Sequence, residues 1–397
     1  MAAQLPGRMP APRLTERRVL VVAVLVWTFI VFYLVHWGAT WAIDLRVYRD
    51  AAAFLRGHGS PYLGRFTPSQ LPFTYPPFAL LVLSPLSFGP LGVVKAVWWV
   101  LNEAALCGVL YLALLECLGL SRRRALAFAV LGGAVASIAL EPVRSNLDYG
   151  QINALLMVMI AVDILRIRGR GRGVLVGVAA AIKLTPLLYL AYFLVERDRR
   201  AALRGAVTFV AATGLSWAIL PTASTKYWVD DAFHPSRTGR PGFVSNQSWN
   251  GLLHRVPFHS GTGIAVLWVL ASLLTVATAV VAAQRLVARG RRVDALLVLA
   301  LAELLASPIS WSHHWSWLVL TPVVLIERRG TDRAVVVALA VATLIAFAEP
   351  YWWPLSGWFG AVLADSLTLA GAALLGVMTW RAIAESRAEE ALQPSSG

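Results

Sequence analysis

The fold class this sequence predicts is an all-α polytopic membrane protein, and three observations predict it. Hydrophobic residues fill 58% of the 397 positions and charged residues 14%. Apolar runs recur along the whole chain, and the basic residues gather in the short connections between them. The formal charge of +14 therefore reads as membrane topology: the implied partner is a lipid bilayer, with no nucleic acid. Cys107 and Cys117 sit on one predicted helix, roughly 15 Å apart along its axis, too far for a disulfide.

Taken in order, residues 1–18 form a basic tail with Arg8, Arg13, Arg17 and Arg18, expected in the cytoplasm. With the apolar run 19–37 it has the outline of a signal peptide, but no A-x-A site follows, so the run is kept as a first crossing. An amphipathic helix comes next, with Val47, Ala51, Phe54 and Leu55 on one face and Arg46, Arg49, Asp50 and Arg56 on the other. Gly57 to Pro61 stop it, and it is expected to lie on the outer leaflet. The stretch LPFTYPPFALLVLSPLSFGP is too broken by proline to cross, and reads as a rigid re-entrant or interfacial turn. Further crossings are expected at 91–118, 125–141, 152–166, 205–220, 262–285, 293–309, 315–327, 332–348 and 361–384, about ten in all with the first. The membrane domain thus covers 19–384, and 385–397 is a second cytoplasmic tail with no soluble domain expected.

The segment 173–195 departs from the alternation. It is apolar, yet RIRGRGRG precedes it and ERDRRAALR follows, so both ends belong on the cytoplasmic side. With Lys183 and Pro186 at its middle, it reads as a re-entrant pair of short helices. Making it span would instead expose RLVARGRR outside. With this choice Asp44, the loop of the 60s and 70s, Asn146, Asp148, Asp230, Asp231, Asn246, His313, His314 and Glu349 all fall on the extracytoplasmic face. Polar groups from distant loops converging on one surface are what a distributed active site requires.

Each candidate carries a structural alternative. Asp44 opens the amphipathic helix, as an N-cap or as a general base. Asn146 and Gln151 can hydrogen-bond sugar hydroxyls or cap a helix, while Asp148 and Asn153 are placed to cap the helix beginning near Ile152. Lys183 at membrane depth needs a partner, either an acid such as Glu103 or Glu303 or a lipid phosphate. Asn246, Gln247, Trp249 and Asn250 in SNQSWNGLLHR suit sugar rings or an ordinary interfacial loop. In SPISWSHHW, His313 and His314 are neighbours that would point about 100° apart on a helix. They are therefore ill placed to share a metal, and no metal or other cofactor is expected. A structural role or binding of a phosphate or polarised hydroxyl remains for them. Most tryptophans near the outer boundaries are expected to be interface anchors.

Five motifs in order, DLRVY at 44–48, YPPF at 75–78, GQIN at 150–153, AIKLTP at 181–186 and SWSHHW at 310–315, give the chain a family resemblance. It resembles the actinobacterial polyprenol-phosphate-mannose-dependent alpha-1,2-mannosyltransferases of the GT-C fold, over nearly the whole membrane domain. The resemblance implies inverting transfer of mannose from polyprenyl phosphate mannose to a glycolipid acceptor, a phosphatidylinositol mannoside or lipomannan, on the outer face of the cytoplasmic membrane. Asp44 matches the family's catalytic aspartate, and His313 or His314 its active-site histidine region, which would steady the departing phosphate. Relatives that transfer arabinofuranose leave the sugar open. A lipid transporter or flippase is the competing class, but it favours a midplane site and paired repeats, which this chain lacks.

Overall fold

The computed structural model describes residues 21–29, 42–57, 59–256 and 260–392. The basic tail 1–18, much of the first expected crossing and the last five residues lie outside them. Among the described residues the fold is helical throughout, with only two isolated bridges, Phe66 with Leu71 and Asn246 with Trp311. Among the described residues four helices are long and apolar enough to cross a membrane: Leu91–Leu118, Arg199–Ile219, Gly261–Ala288 and Ser366–Glu390. Only 17% of the most apolar window of Gly261–Ala288 is buried in the protein, so that helix offers its surface to an apolar solvent. A fifth candidate is bent by 82° between Arg122–Ala139 and Glu141–Tyr149, where Pro142 at the start of the second helix cannot continue the first.

The other expected crossings correspond to shorter elements. Asn153–Leu165 has 13 residues, Arg292–Ala306 has 15 and Arg333–Ala348 has 16. The run 315–327 is a 3₁₀ segment, Ser312–Leu320, continued by the helix Thr321–Arg328. At 1.5 Å per residue, 13 residues reach about 20 Å, short of a hydrocarbon layer of about 30 Å. Hydropathy finds these elements; their lengths are cut by the polar breaks that build the site.

The segment 173–195 folds as a hairpin. Val174–Ile182 ends at Lys183, a 3₁₀ turn spans Thr185–Tyr189, and Leu190–Val195 returns. Its two ends meet, because Arg172 pairs with Glu196 and, at 3.2 Å, with Asp198. Asp163 accepts the backbone N–H groups of Gly173 at 2.7 Å and Val176 at 2.9 Å, holding the entrance of the hairpin to the preceding helix. A side chain at Gly173 would place its Cβ 2.1 Å from the Ala201 carbonyl, and one at Gly177 2.4 Å from that of Gly205. Glycine thus lets Arg199–Ile219 pack backbone to backbone against the hairpin.

The basic connections also meet one another. Arg292 reaches Glu116 at 3.1 Å and Glu196 at 3.5 Å, and Arg166 shares Glu116 at 3.4 Å. Asp294 takes Arg291 at 2.8 Å and Arg328. Segments expected on one side of the membrane thus form one ion-paired end. From it Asn153–Leu165 and Val174–Ile182 lead to Asn153 and Lys183, at the opposite end of the same helices.

The helix Ile43–Leu55 is tied into the protein more deeply than an outer-leaflet helix would be. Leu45, Val47, Tyr48, Ala51 and Ala52 are buried, so its inner face is turned towards Leu45 and Tyr48, and Phe54 and Leu55 are only half-buried. The Pro-rich stretch after it forms a short helix, Pro77–Leu83, and a 3₁₀ turn, Ser84–Phe88, as its prolines predict.

Candidate active site

A cavity of about 360 Å³ opens where the five motifs converge, with Asp44, Tyr75, Gln151, Lys183, Trp311, His313 and His314 in its wall. Each motif contributes a residue. Gly150 makes one of the junctions: it ends Glu141–Tyr149 in the left-handed region at φ 69°. Any Cβ there would lie 2.6 Å from that of Leu45. Trp98 and Trp99 donate to the carbonyls of Gly150 at 2.8 Å and Leu147 at 2.9 Å, and Ala42 N–H donates to the backbone carbonyl of Asp148 at 2.9 Å. The turn before Gln151 is therefore fixed against the start of the helix that carries Asp44.

Asp44 does not cap its helix. Ala42 occupies the N-cap position, without a side-chain bond, and the Asp44 carboxylate turns inward, where its Oδ2 accepts from Gln151 Nε2 at 2.7 Å. No hydrogen bond to Oδ1 is present among the described residues. Burial pushes the carboxyl from 3.8 up to about 6, against the opposing hydrogen bond from Gln151 and the charge of Lys183.

Lys183 takes neither acid offered to it by the sequence. Its Nζ donates to Asn153 Oδ1 at 2.8 Å and lies 3.2 Å from His314 Nε2. Glu303 instead accepts from Tyr189 at 2.6 Å, and Glu103 from Ser137 at 2.5 Å. An ammonium group only donates, so His314 Nε2 accepts and its ring proton resides on Nδ1. Asn153, expected as a cap, donates to Asn146 Oδ1 at 3.1 Å and to the His313 carbonyl at 3.3 Å. The helix it begins has no side-chain cap at all, which also removes that role from Asp148.

Asn146 is buried behind this row, 3.5 Å from Asn102 through its amide, and it supports Asn153 rather than facing the cavity. Asn246 also stands away from the cavity wall. Its Oδ1 accepts from Ser310 N at 2.8 Å and Ser248 Oγ at 3.0 Å. Its Nδ2 donates to the Pro241 carbonyl at 2.8 Å and the Pro308 carbonyl at 3.3 Å. With every polar position engaged, Asn246 shapes the loop that carries the histidines. That loop is further held by Ser312 donating to Glu141 at 2.9 Å and Ser316 donating to the Pro142 carbonyl at 3.0 Å.

The histidines sit on a 3₁₀ rather than an α-helical segment, and both line the cavity with their rings in edge-to-face contact, closer together than two side chains turned 100° apart on a helix would be. His314 turns to Lys183. His313 is 4% exposed, yet neither of its ring nitrogens has a hydrogen-bond partner among the described residues. Its ring lies edge-on to Tyr149 at 5.4 Å and to His314 at 4.7 Å. Burial, followed by the charge of Lys183, lowers both imidazole pKa values well below the ordinary 6.5. Both rings are neutral at neutral pH. Among the described residues no group of three His, Cys, Asp or Glu side chains could hold a metal ion.

Residues 73–308 match glycosyltransferase family 87. The chain belongs to glycosyltransferase family 87. The family 87 match begins after Asp44 and ends before the two histidines, but similarity to individual proteins runs further. One relative is a polyprenol-phosphate-mannose-dependent alpha-(1-2)-phosphatidylinositol pentamannoside mannosyltransferase of Mycobacterium tuberculosis (strain CDC 1551 / Oshkosh). It is 36% identical over 376 residues, covering 91% of this chain and 84% of the relative. The protein of the same description from Mycolicibacterium smegmatis is 34% identical over 386 residues, 90% of this chain and 91% of its own length. A polyprenol-phosphate-mannose-dependent alpha-(1-2)-phosphatidylinositol mannoside mannosyltransferase of M. tuberculosis (strain ATCC 25618 / H37Rv) is 36% identical over 329 residues, 79% of this chain and 76% of the relative. No solved structure matches the chain.

The sequence did not single out Tyr48, Tyr75 and Asn153 as members of the site. Tyr48 and Tyr75 stand in the motifs, but their type suggests packing, and Asn153 suggests a cap. A polar residue within a buried motif is the signal that was available for all three.

Proposed function

We propose that this chain transfers mannose from polyprenol phosphate mannose to a phosphatidylinositol mannoside, forming an α-1,2 linkage with inversion at the anomeric carbon. The observation that carries this reading is one cavity holding a lysine Nζ together with a carboxylate that has an uncommitted oxygen and an imidazole that has no hydrogen-bond partner among the described residues. Asp44 accepts the proton of the acceptor 2-hydroxyl as its oxygen attacks C1. The bond from C1 to the phosphate oxygen breaks, and its electron pair leaves with the lipid phosphate. Lys183 supplies positive charge to that phosphate, and neutral His313 supplies a hydrogen bond. His314 holds Lys183 in place. A β-linked donor thus gives an α-linked product.

The topology we propose is the GT-C arrangement, with about ten crossings and the hairpin 173–195 entering from the cytoplasmic side. It is supported by the ion-paired arginine end, which the positive-inside rule assigns to the cytoplasm. The cavity then faces the exterior of the cytoplasmic membrane. Purified protein incubated with polyprenol phosphate mannose and phosphatidylinositol mannosides should yield a product heavier by one hexose and sensitive to an α-1,2-specific mannosidase. Absence of that product, or transfer from an arabinofuranosyl donor instead, overturns the reading.

A further inference from the structure

We propose that Gln151 is the positioning residue of the base: Tyr48 and Tyr75 fix its amide, and the amide fixes the Asp44 carboxylate so that one oxygen is held and the other meets the acceptor hydroxyl. The inference rests on Asp44 being the base, and it gives Gln151 a role other than sugar contact or helix capping.

The geometry leaves one orientation for the amide. Gln151 Oε1 lies 3.0 Å from the Tyr48 hydroxyl and 2.9 Å from that of Tyr75, and the hydroxyls lie 2.9 Å from each other. Each phenol has one proton, so within this triangle of oxygens Oε1 receives at least one of the two. Reversing the amide would set its carbonyl oxygen against Asp44 Oδ2 at the 2.7 Å now occupied by the N–H bond. Two acceptors buried together at that distance repel, so ionised Asp44 admits only the observed arrangement.

The clamp is itself braced. Tyr48 is 1% exposed, with Tyr75 edge-on at 5.2 Å and Trp98 at 6.2 Å. Trp98 also holds the carbonyl of Gly150, the residue before Gln151. Burial raises both phenol pKa values above the ordinary 10, so both remain donors. The motifs DLRVY, YPPF and GQIN, far apart in sequence, therefore supply one hydrogen-bonded unit whose outlet is a single carboxylate oxygen.

The test compares kcat and KM against pH for the full-length purified protein, using polyprenol phosphate mannose and a phosphatidylinositol mannoside. In Gln151→Leu, kcat should fall about 10- to 100-fold, the effect of losing a partner that orients a reacting group, with acceptor KM little changed. The acidic limb should also move to higher pH, because the lost N–H favoured the ionised carboxylate. The Tyr48→Phe/Tyr75→Phe double variant keeps Gln151 and should move the limb in the same direction by less. A limb that stays in place while acceptor KM rises overturns the inference and makes Gln151 a substrate contact. If Gln151→Leu does not fold, as judged by thermal melting, the tyrosine variant decides alone, and an unmoved limb there overturns it. Retention of most activity by Asp44→Asn would instead overturn the reading of the base, whatever Gln151 does.

Discussion

At the ion-paired end, Arg172, Arg292 and Arg328 each meet carboxylates, whereas at the cavity end Lys183 meets an asparagine and a histidine. Both ends place charged groups among apolar helices. At the first, opposite charges compensate one another and the helices are held together. At the second, among the described residues, Asp44 keeps an uncommitted oxygen, Lys183 has no acid in hydrogen-bonding contact, and His313 has no partner for either nitrogen. We take paired charges as the mark of scaffold, and a carboxylate, an ammonium and an imidazole sharing one cavity without an ion-pair contact as the mark of the proposed site, where a substrate would bring the hydroxyl and the phosphate.

The sharpest way to break this contrast is Asp44→Asn. A positioned base contributes about 10²- to 10⁴-fold, so transfer should fall by that factor. Stability should not fall with it. A carboxyl raised from 3.8 to about 6 in the fold binds its proton more tightly folded than unfolded, so its ionised form weakens the fold as pH rises through that window. At neutral pH the asparagine variant should melt at the same or a higher temperature. A stable variant that keeps most of its activity would reduce Asp44 to a structural residue.

Lys183→Met should cost about 10²- to 10³-fold in transfer, as loss of a preorganised electrostatic group does. Lys183→Arg should not restore the rate, because a planar guanidinium cannot repeat the contacts to Asn153 and His314. Full activity in Lys183→Arg would place the lysine outside the phosphate site.

The histidines sharpen the contrast on a smaller scale. His313→Ala removes an uncommitted N–H donor from the cavity and should lower the rate about tenfold more than His314→Ala, which leaves Lys183 its bond to Asn153. Equal losses would contradict the separate roles. At the other end, Arg172→Ala should lower thermal stability by about 3 kcal/mol, the usual cost of breaking a buried pair. The kcat of the folded fraction should stay within about twofold of wild type. A selective loss of kcat would show that the hairpin base tunes the chemistry directly.

Much of this was legible in the sequence because it rested on pattern. The long apolar runs 91–118 and 262–285 point to the helices Leu91–Leu118 and Gly261–Ala288, and arginines on both flanks of 173–195 point to a hairpin whose ends do meet at Arg172 and Glu196. The cavity members Asp44, Gln151, Lys183, His313 and His314 were also found. Their roles were harder to read, because a hydrogen-bond partner is a matter of tertiary approach. Asp44 could be a helix cap or a base, and Asn246 a sugar contact or an ordinary loop residue, and only packing shows Asn246 bound on all sides and Asp44 facing Gln151. Glu103 and Glu303 are the acids the sequence offers to Lys183, but Ser137 and Tyr189 donate to their carboxylates instead. Among the described residues four of the expected crossings, or five with the bent pair, have helices of membrane-spanning length; hydropathy registers apolar character, while polar breaks such as 307–314 shorten the helices themselves.

The most direct test of the central claim is the pH dependence of kcat/KM for mannosyl transfer by the wild-type protein. Asp44 acts as a base only when ionised, and burial sets its pKa at about 6. The rate should be level above neutrality and fall towards tenfold per unit below about pH 6, with that limb absent from the residual activity of Asp44→Asn. A wild-type rate that stays flat down to pH 5 in protein that remains folded, or a limb that survives in Asp44→Asn, would contradict Asp44 as the base.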